Sequence, residues 1–295
     1  MLEEFFYHSF PRVNKKADEN LDDNNLRGFK VLESIVRNGL LITPEVLNLP
    51  FKLEEWQNPV VQHRCCFTLI ERTKLDDHCR VFGSFSIEWD TYFLKKIGIT
   101  PVFYLPLFDF ESDNHMELVS PKFLYRMLNY HEYARGCSED IESRIKQAEL
   151  VGDSISIDKY RSDKGFYDDM KGWFEGLKNM VYPIDHKRYT EENGYYMQRE
   201  WKLPGNIIYN NTWLTTEPTS AQQQELLSLN STFFNKEIDY FGNMRKRVEI
   251  SLFLKNIEGK HILDHANKII VPKEYYVQVN ELKASYGLSV AIETL

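Results

Sequence analysis

The sequence predicts an α+β fold in which a mixed sheet is assembled from both ends of the chain and interrupted by a helical insertion. Three observations lead there. Segments with the two-residue alternation of strands cluster before about residue 118 and again from Tyr195 onward. Between them, about 118–180, the apolar residues change to helical spacing among many charges, as in Phe123, Leu124, Met127 and Leu128, then Ile141, Ile145, Ala148 and Leu150, then Met170, Trp173, Phe174 and Leu177. Finally, 295 residues suffice for one elaborated domain, so the expectation is a single domain over 1–295.

In chain order, residues 2–13 read as a short strand that turns at Pro11, and Asn14–Asn25 as a polar loop. Leu26, Phe29, Leu32, Ile35 and Val36 form a helical stripe that Asn38-Gly39 stops, and Leu40-Leu41-Ile42 begins a strand. Arg64 to Ile70 is strand-like, Glu71–Arg80 a short helix and Phe82–Trp89 an alternating strand. Tyr92–Ile97 reads as a helix ending at Gly98, and Pro101–Leu105 as the following strand. Past the insertion, Tyr195–Lys202 reads as an aromatic-rich strand and Asn210–Asn230 as a polar connector. Phe233–Met244 reads as a helix, Val248–Phe253 and Lys268–Val271 as strands, and a short helix closes the chain.

Composition narrows the class of function. The formal net charge is -8, the pI about 5.6 and the mean hydropathy -0.47, which speaks against a broad grip on a nucleic-acid backbone. The short basic runs, Arg245-Lys246-Arg247 and Lys171, Lys178, Lys187 and Arg188, offer at most a local patch and read more simply as solvated faces. No apolar run reaches the ~20 residues of a membrane helix, and Met1-Leu2-Glu3-Glu4 lacks the basic and then apolar pattern of a secretory signal, so no membrane contact and a cytoplasmic location are expected. Four cysteines, Cys65, Cys66, Cys79 and Cys137, are too few for a disulfide framework. His63, Cys65, Cys66, His78 and Cys79 are of metal-ligand type, but their spacing fits no zinc pattern, and no metal is expected.

The residues with the clearest chemical content are Gln198 and Glu200. On a strand, positions two apart share a face, so both would line one cleft, the carboxylate binding a ribose hydroxyl and stabilising an oxocarbenium-like centre while the amide orients a nucleophile. His8 and Ser9 end the first strand, and Phe82, Phe85 and Ser86 offer aromatics and a hydroxyl. Together these would supply what a dinucleotide with a labile glycosidic bond needs: a hydrogen-bonding group for its ribose or carboxamide, an aromatic surface, and a carboxylate at the reacting ribose. Arg12 would reach the pyrophosphate as a fork-shaped donor, or else is a surface arginine. Phosphate loops, Gly-x-Ser-x-Gly and His-Glu-x-x-His motifs do not occur.

Several motifs in order carry a resemblance. Cys66-Phe67-Thr68, then Leu75 and His78, then Phe82-Gly83-Ser84-Phe85-Ser86-Ile87-Glu88-Trp89, then Gly98-Ile99-Thr100-Pro101-Val102-Phe103-Tyr104-Leu105 resemble the AbiGi-like abortive phage infection family, whose members read roughly C-F-x-D-I-P, H, Y-G-x-Y-G-I, W and N-P-V-x-Y. Gln198 to Pro204 is similar to its E-R-E-W-R-x-x-P, and Lys268–Val271 to its closing I-I-V strand. The family is labelled an antitoxin of phage-resistance systems, yet its pattern also resembles the ADP-ribosyltransferase fold, a split mixed sheet that cleaves NAD. The resemblance implies NAD as substrate, Glu200 as the catalytic carboxylate with Gln198 positioning the acceptor, and His8 at the nicotinamide-side ribose. Phe82 or Phe85 would stack the nicotinamide, with Ser86 hydrogen-bonding nearby. Three departures stand out: Gln198 replaces the family's first Glu, Phe82 and Phe85 its tyrosines, and Leu69-Ile70-Glu71 its Asp-Ile-Pro. A Gln-x-Glu pair suits transfer to an amide or nucleobase better than to a guanidinium, so RNA or DNA is the expected acceptor, with protein next. Such activity implies a toxin and a neutralising antitoxin partner. The alternative is a non-catalytic antitoxin or sensor that keeps the fold.

Overall fold

The computed structural model describes residues 3–12, 20–47, 60–107, 119–185, 199–205, 207–210, 212–240 and 242–295. The chain divides into two compact units, one of residues 1–47, 58–102 and 193–295, the other of 48–57 and 103–192. The fold is mixed α+β with a mixed sheet.

In the first unit, β1 (Glu4–Phe10) leads to α1 (Leu21–Asn38), β2 (Leu40–Leu47) and β3 (Val60–Glu71). Then come α2 (Leu75–Phe82), β4 (Phe85–Trp89), α3 (Thr91–Lys96) and β5 (Thr100–Pro101). α1 starts five residues earlier than its apolar stripe suggests, at Leu21, because Asn20 caps it by accepting from the Asp23 amide at 2.8 Å. It stops where Gly39 adopts φ +91 against Leu254 and Lys255, where any Cβ would collide with backbone.

The second unit holds β6 (Phe103–Leu107), α4 (Val119–Val151), α5 (Ser154–Met180) and β7 (Val181–Asp185). β6 and β7 are parallel neighbours, and the two long helices fill the crossover between them. Leu124, Met127, Leu128, Ala134, Ala148 and Phe174 are buried along the helix pair, whereas Leu150 and Trp173 of the apolar pattern are 87% and 65% exposed. A polar zip joins the helices: His131 Nε2 lies 3.1 Å from Glu175, and the Ser138 hydroxyl donates to Asp168 at 2.7 Å. Burial pushes the Glu175 carboxyl up, but His131 and Lys178 outweigh it and hold it at about 2.

The chain then returns to the first unit with β8 (Glu200–Pro204), a hairpin of β9 (Ile208–Tyr209) and β10 (Thr212–Trp213), β11 (Thr215–Thr216), α6 (Ser220–Leu229) and α7 (Ser231–Phe234). β12 (Glu237–Tyr240) and β13 (Asn243–Lys246) form a second hairpin, followed by β14 (Leu252–Leu254), β15 (Asn256–Ile257), β16 (Lys260–His261), β17 (Lys268–Val271), α8 (Tyr276–Ser285) and β18 (Ala291–Thr294). Two expectations are corrected here. The helix expected over Phe233–Met244 is one helical turn and a hairpin, because Asp239 accepts from the Gly242 amide at 2.8 Å and Gly242 takes φ +79, which closes a turn. The connector expected over Asn210–Asn230 contains α6, started by a capping box between Thr219 and Gln222.

The main sheet runs β11, β14, β2, β3, β1, β4, β17, β18, with β8 and β5 branching from β3. β8 pairs with Arg64 to Thr68 along one edge of β3. On the opposite edge β2 takes Val60 to Arg64 and β1 takes Thr68 to Glu71. β1 and β2 therefore share one edge of β3 and part company over Cys65–Phe67. One face of the sheet packs Phe6, Phe10, Phe67, Phe85, Ile87, Trp89 and Leu203 against α1 residues Leu32, Ile35 and Val36. Each such fully buried side chain contributes about 1.5–3 kcal/mol. The other face carries Tyr7, Cys66, Thr68, Ser86, Glu88, Glu200 and Lys202, and α2 covers part of it through Leu75 and Cys79.

Candidate functional site

Strand register decides which candidate residues meet. Residues directly opposite each other in an antiparallel pair point to the same face. Glu200 is opposite Thr68, and Thr68 is opposite Tyr7, so Glu200 shares the α2 face with Tyr7. His8 follows Tyr7 and points the other way, toward Phe10 and Phe67, whose ring centroids are each 5.5 Å from its own. The expected convergence of His8 and Glu200 in one cleft is thus corrected: the two lie on opposite faces.

His8 has a structural task at the parting of β1 and β2. Its Nδ1 donates to the Cys66 carbonyl at 2.8 Å, replacing the ladder bond that the gap leaves unmade. That bond leaves Nε2 as the acceptor, and burial pulls the imidazole below its ordinary value, so the ring is neutral at neutral pH. The Cys65 thiol packs 3.8 Å from the same ring. Cys65 and Cys66 fall on opposite faces, and the His63 ring bonds the Ile250 carbonyl at 2.6 Å, so the histidines and cysteines of metal-ligand type are dispersed.

The aromatic pair also divides. Phe85 is fully buried, stacked on Phe10 at 6.2 Å and edge-on to Tyr275 at 5.4 Å, with Gly28 of α1 pressed to its ring. It has no free surface for a ligand, which corrects its role as a stacking platform. Phe82 ends α2, is part-exposed, stacks on His78 at 4.4 Å and lies 5.4 Å from the Arg12 guanidinium. Gly83 fixes that end of the helix, with φ +110 and room for no Cβ beside Phe10 and Pro11. Ser9 and Ser86 share a hydroxyl contact of 2.8 Å, with Ser86 fully buried.

Phe82 borders a cavity of about 510 Å³ on the α2 face, lined also by Glu4, Thr68, Ile70, Glu71, Lys74, Asp77, His78, Val81 and Arg199. Glu200 adjoins it, since Thr68 is its cross-strand neighbour at a Cβ separation of about 4.5–5.5 Å. Around Glu200 the chemistry is polar and enclosed. Burial, then the Glu200 charge, pushes the Cys66 thiol up to about 12, so it stays protonated. Burial, then Arg64, lowers the Lys202 ammonium to about 8, and Arg64 itself pairs with Glu45. His78 is pulled down to about 4 by burial, with His8 adding a smaller effect, and serves as a neutral ring behind Phe82.

Gln198 lies outside the described residues. β8 begins at Glu200, and Arg199 sits at φ +46. Arg199, Thr68, Lys74, His78, Cys66 and Lys202 escaped the sequence reading as site residues. The four-residue spacing of His78 and Phe82 and the two-residue spacing of Glu200 and Lys202 were visible signals; the meeting of β3 and β8 had none.

Arg245 and Arg247 of the basic run, and the histidines His261 and His265, have structural partners, while Lys187 and Arg188 lie outside the described residues. Arg245 pairs with Glu249 at 2.9 Å, and Arg247 is buried over the Phe233 ring at 4.0 Å. His261 Nδ1 accepts from the Leu263 amide at 3.2 Å, while His265 stacks on Phe93 at 4.5 Å. No known protein family, curated protein or solved structure matches the chain. Among the described residues, no helix is long and apolar enough to cross a membrane.

Proposed function

We propose that the chain is an NAD-dependent ADP-ribosyltransferase of ADP-ribosyltransferase-like fold, the cytoplasmic toxin of a bacterial anti-phage system held in check by an antitoxin partner. The observation that carries the reading is the juxtaposition of a carboxylate, Glu200, with a cavity that has an aromatic wall, Phe82 on His78, and the Arg199 guanidinium, with the Arg12 guanidinium 5.4 Å from the Phe82 ring. The mixed lining fits NAD, whose diphosphate is anionic, whose pyridinium is cationic and whose ribose hydroxyls need acceptors. In the proposed reaction the C1'–nitrogen bond breaks with its electron pair passing to the pyridinium, which leaves as neutral nicotinamide. Glu200 accepts the ribose 2'-hydroxyl bond and stabilises the cationic C1'. The acceptor, a nucleic-acid base ahead of a protein side chain, then forms the new bond and gives up its proton. In this arrangement His8 is a sheet-holding residue.

A second reading, a non-catalytic antitoxin or sensor, is favoured by one observation: His8 and Phe85, two of the residues the resemblance assigns to NAD, are turned to the packed face. Adenylate-labelled NAD incubated with the protein and with RNA, DNA and lysate separates the readings. Label entering one pool and lost in Glu200→Gln is the expected result. Intact NAD with every pool sinks the transferase reading in favour of the binding protein.

A further inference from the structure

The cation at the rim of the Glu200-side cavity is already gripping an anion. Arg199 Nη2 donates to Glu4 Oε2 at 3.0 Å while Nη1 donates to Oε1, so one carboxylate fills the guanidinium fork. Both groups are part-exposed, at 48% and 33%, which keeps the pair weak and exchangeable. A fork that fits a carboxylate fits a phosphate equally well. Arg199 also stands at φ +46, a region that arginine seldom occupies, held there while its carbonyl accepts from the Leu69 amide at 3.3 Å. That backbone sets the guanidinium at the cavity and leaves the next residue, Glu200, to start the strand.

Of the other cations near α2, Arg72 pairs with Glu293 at 2.7 Å, Arg80 with Asp77 at 3.2 Å, and Arg12 lies 5.4 Å from the Phe82 ring. Among the described residues, Lys74 and Arg199 are the lysine and arginine that line the cavity. We propose that Arg199, assisted by Lys74, is the phosphate-binding group of this cavity, and that Glu4 is an internal stand-in displaced by a phosphorylated ribonucleoside. The ligand class rests on the functional reading above; the displacement does not depend on any transfer chemistry. Phosphate enters the fork, Glu4 swings free, and the aromatic wall of Phe82 takes the base.

Calorimetric titration with ADP-ribose, and with adenosine as the phosphate-free probe, tests this on the full chain. Arg199→Ala is expected to weaken ADP-ribose at least about tenfold and leave adenosine unchanged, and Arg199→Lys, a point charge without the fork, to fall between. Glu4→Gln, which removes the competitor, is expected to tighten ADP-ribose about threefold or more, with salt weakening the phosphate probe in proportion. Glu4→Asp, too short to fill the fork, repeats the gain should Glu4→Gln fold poorly. Equal ADP-ribose affinity in Arg199→Ala and wild type, or weaker binding in both well-folded Glu4 variants, overturns the proposal. Wild type that binds neither ADP-ribose nor inorganic pyrophosphate at millimolar concentration overturns it as well. Arg199-dependent binding without transfer to any acceptor keeps this proposal and removes the transferase; transfer that needs Glu200 but is indifferent to Arg199 does the reverse.

Discussion

The two faces of the main sheet are built from the same strands, yet they have become different materials. On β1 and β4 the residues Phe6, His8, Phe10, Phe85, Ile87 and Trp89 go to a dry, interlocked face, while Tyr7, Ser9, Ser86 and Glu88 go to the other. On the first face the His8 imidazole is held by the Cys66 carbonyl, while the Trp89 indole nitrogen is buried with no hydrogen-bond partner among the described residues. The second holds a carboxylate, an ammonium lowered to about 8 and a cavity side by side. Residues one apart in sequence thus have unrelated duties, and candidate residues sort by parity along the strand.

The largest effect that would sharpen this contrast is on turnover. Glu200→Gln is expected to lower transfer from NAD about 10²–10³-fold, as loss of one charge-stabilising group does, with an unchanged unfolding midpoint; equal turnover would erase the functional distinction between the faces. Next comes the aromatic pair: Phe85→Ala is expected to cost about 3–5 kcal/mol of stability in urea unfolding, whereas Phe82→Ala, at a part-exposed position, costs well under half of that and instead weakens nucleotide binding. If Phe85→Ala folds as well as Phe82→Ala, the packed face has been misassigned.

His8→Ala is smaller, about 1–3 kcal/mol for a carbonyl left without its partner, and is expected to leave the affinity for ADP-ribose intact. A loss of affinity larger than the loss of stability would return His8 to the site. The least effect is in pH. His8 and His78 both have folded values below the ordinary imidazole value of 6.5, His78 at about 4. The unfolded chain therefore takes up protons first, so this stability is complete above pH 6.5 and declines as the pH falls from 6.5 towards 4. Thermal unfolding across that window is expected to show a slope that flattens in His78→Gln; an unaltered slope would remove His78 from the buried set.

Much of the architecture was written locally. Phe85-Ser86-Ile87-Glu88-Trp89 alternates as a strand and is one. Gly39 and Gly98 stop their helices, and both are at positive φ. What local pattern cannot carry is register across distance. Whether His8 and Glu200 meet depends on which residue of β3 each strand faces, and both pair with a third segment far from either in sequence. The hairpin at Glu237–Lys246 was hidden for another reason: Phe233, Phe234, Ile238 and Met244 mimic a helical stripe, and one aspartate-glycine turn overrides it.

The shared edge of β3 has a consequence for how the protein is made. β3 finds β1 and β2 already synthesised, but the strand that covers its other edge, Glu200–Pro204, emerges only after both long helices. Until then a strand with two valines, two cysteines and a phenylalanine presents an open row of amides and carbonyls, the kind of edge through which unfinished chains stick to one another. The first unit is therefore a late-closing fold, and a ribosome stalled within the helical hairpin leaves behind a sheet that has not been sealed.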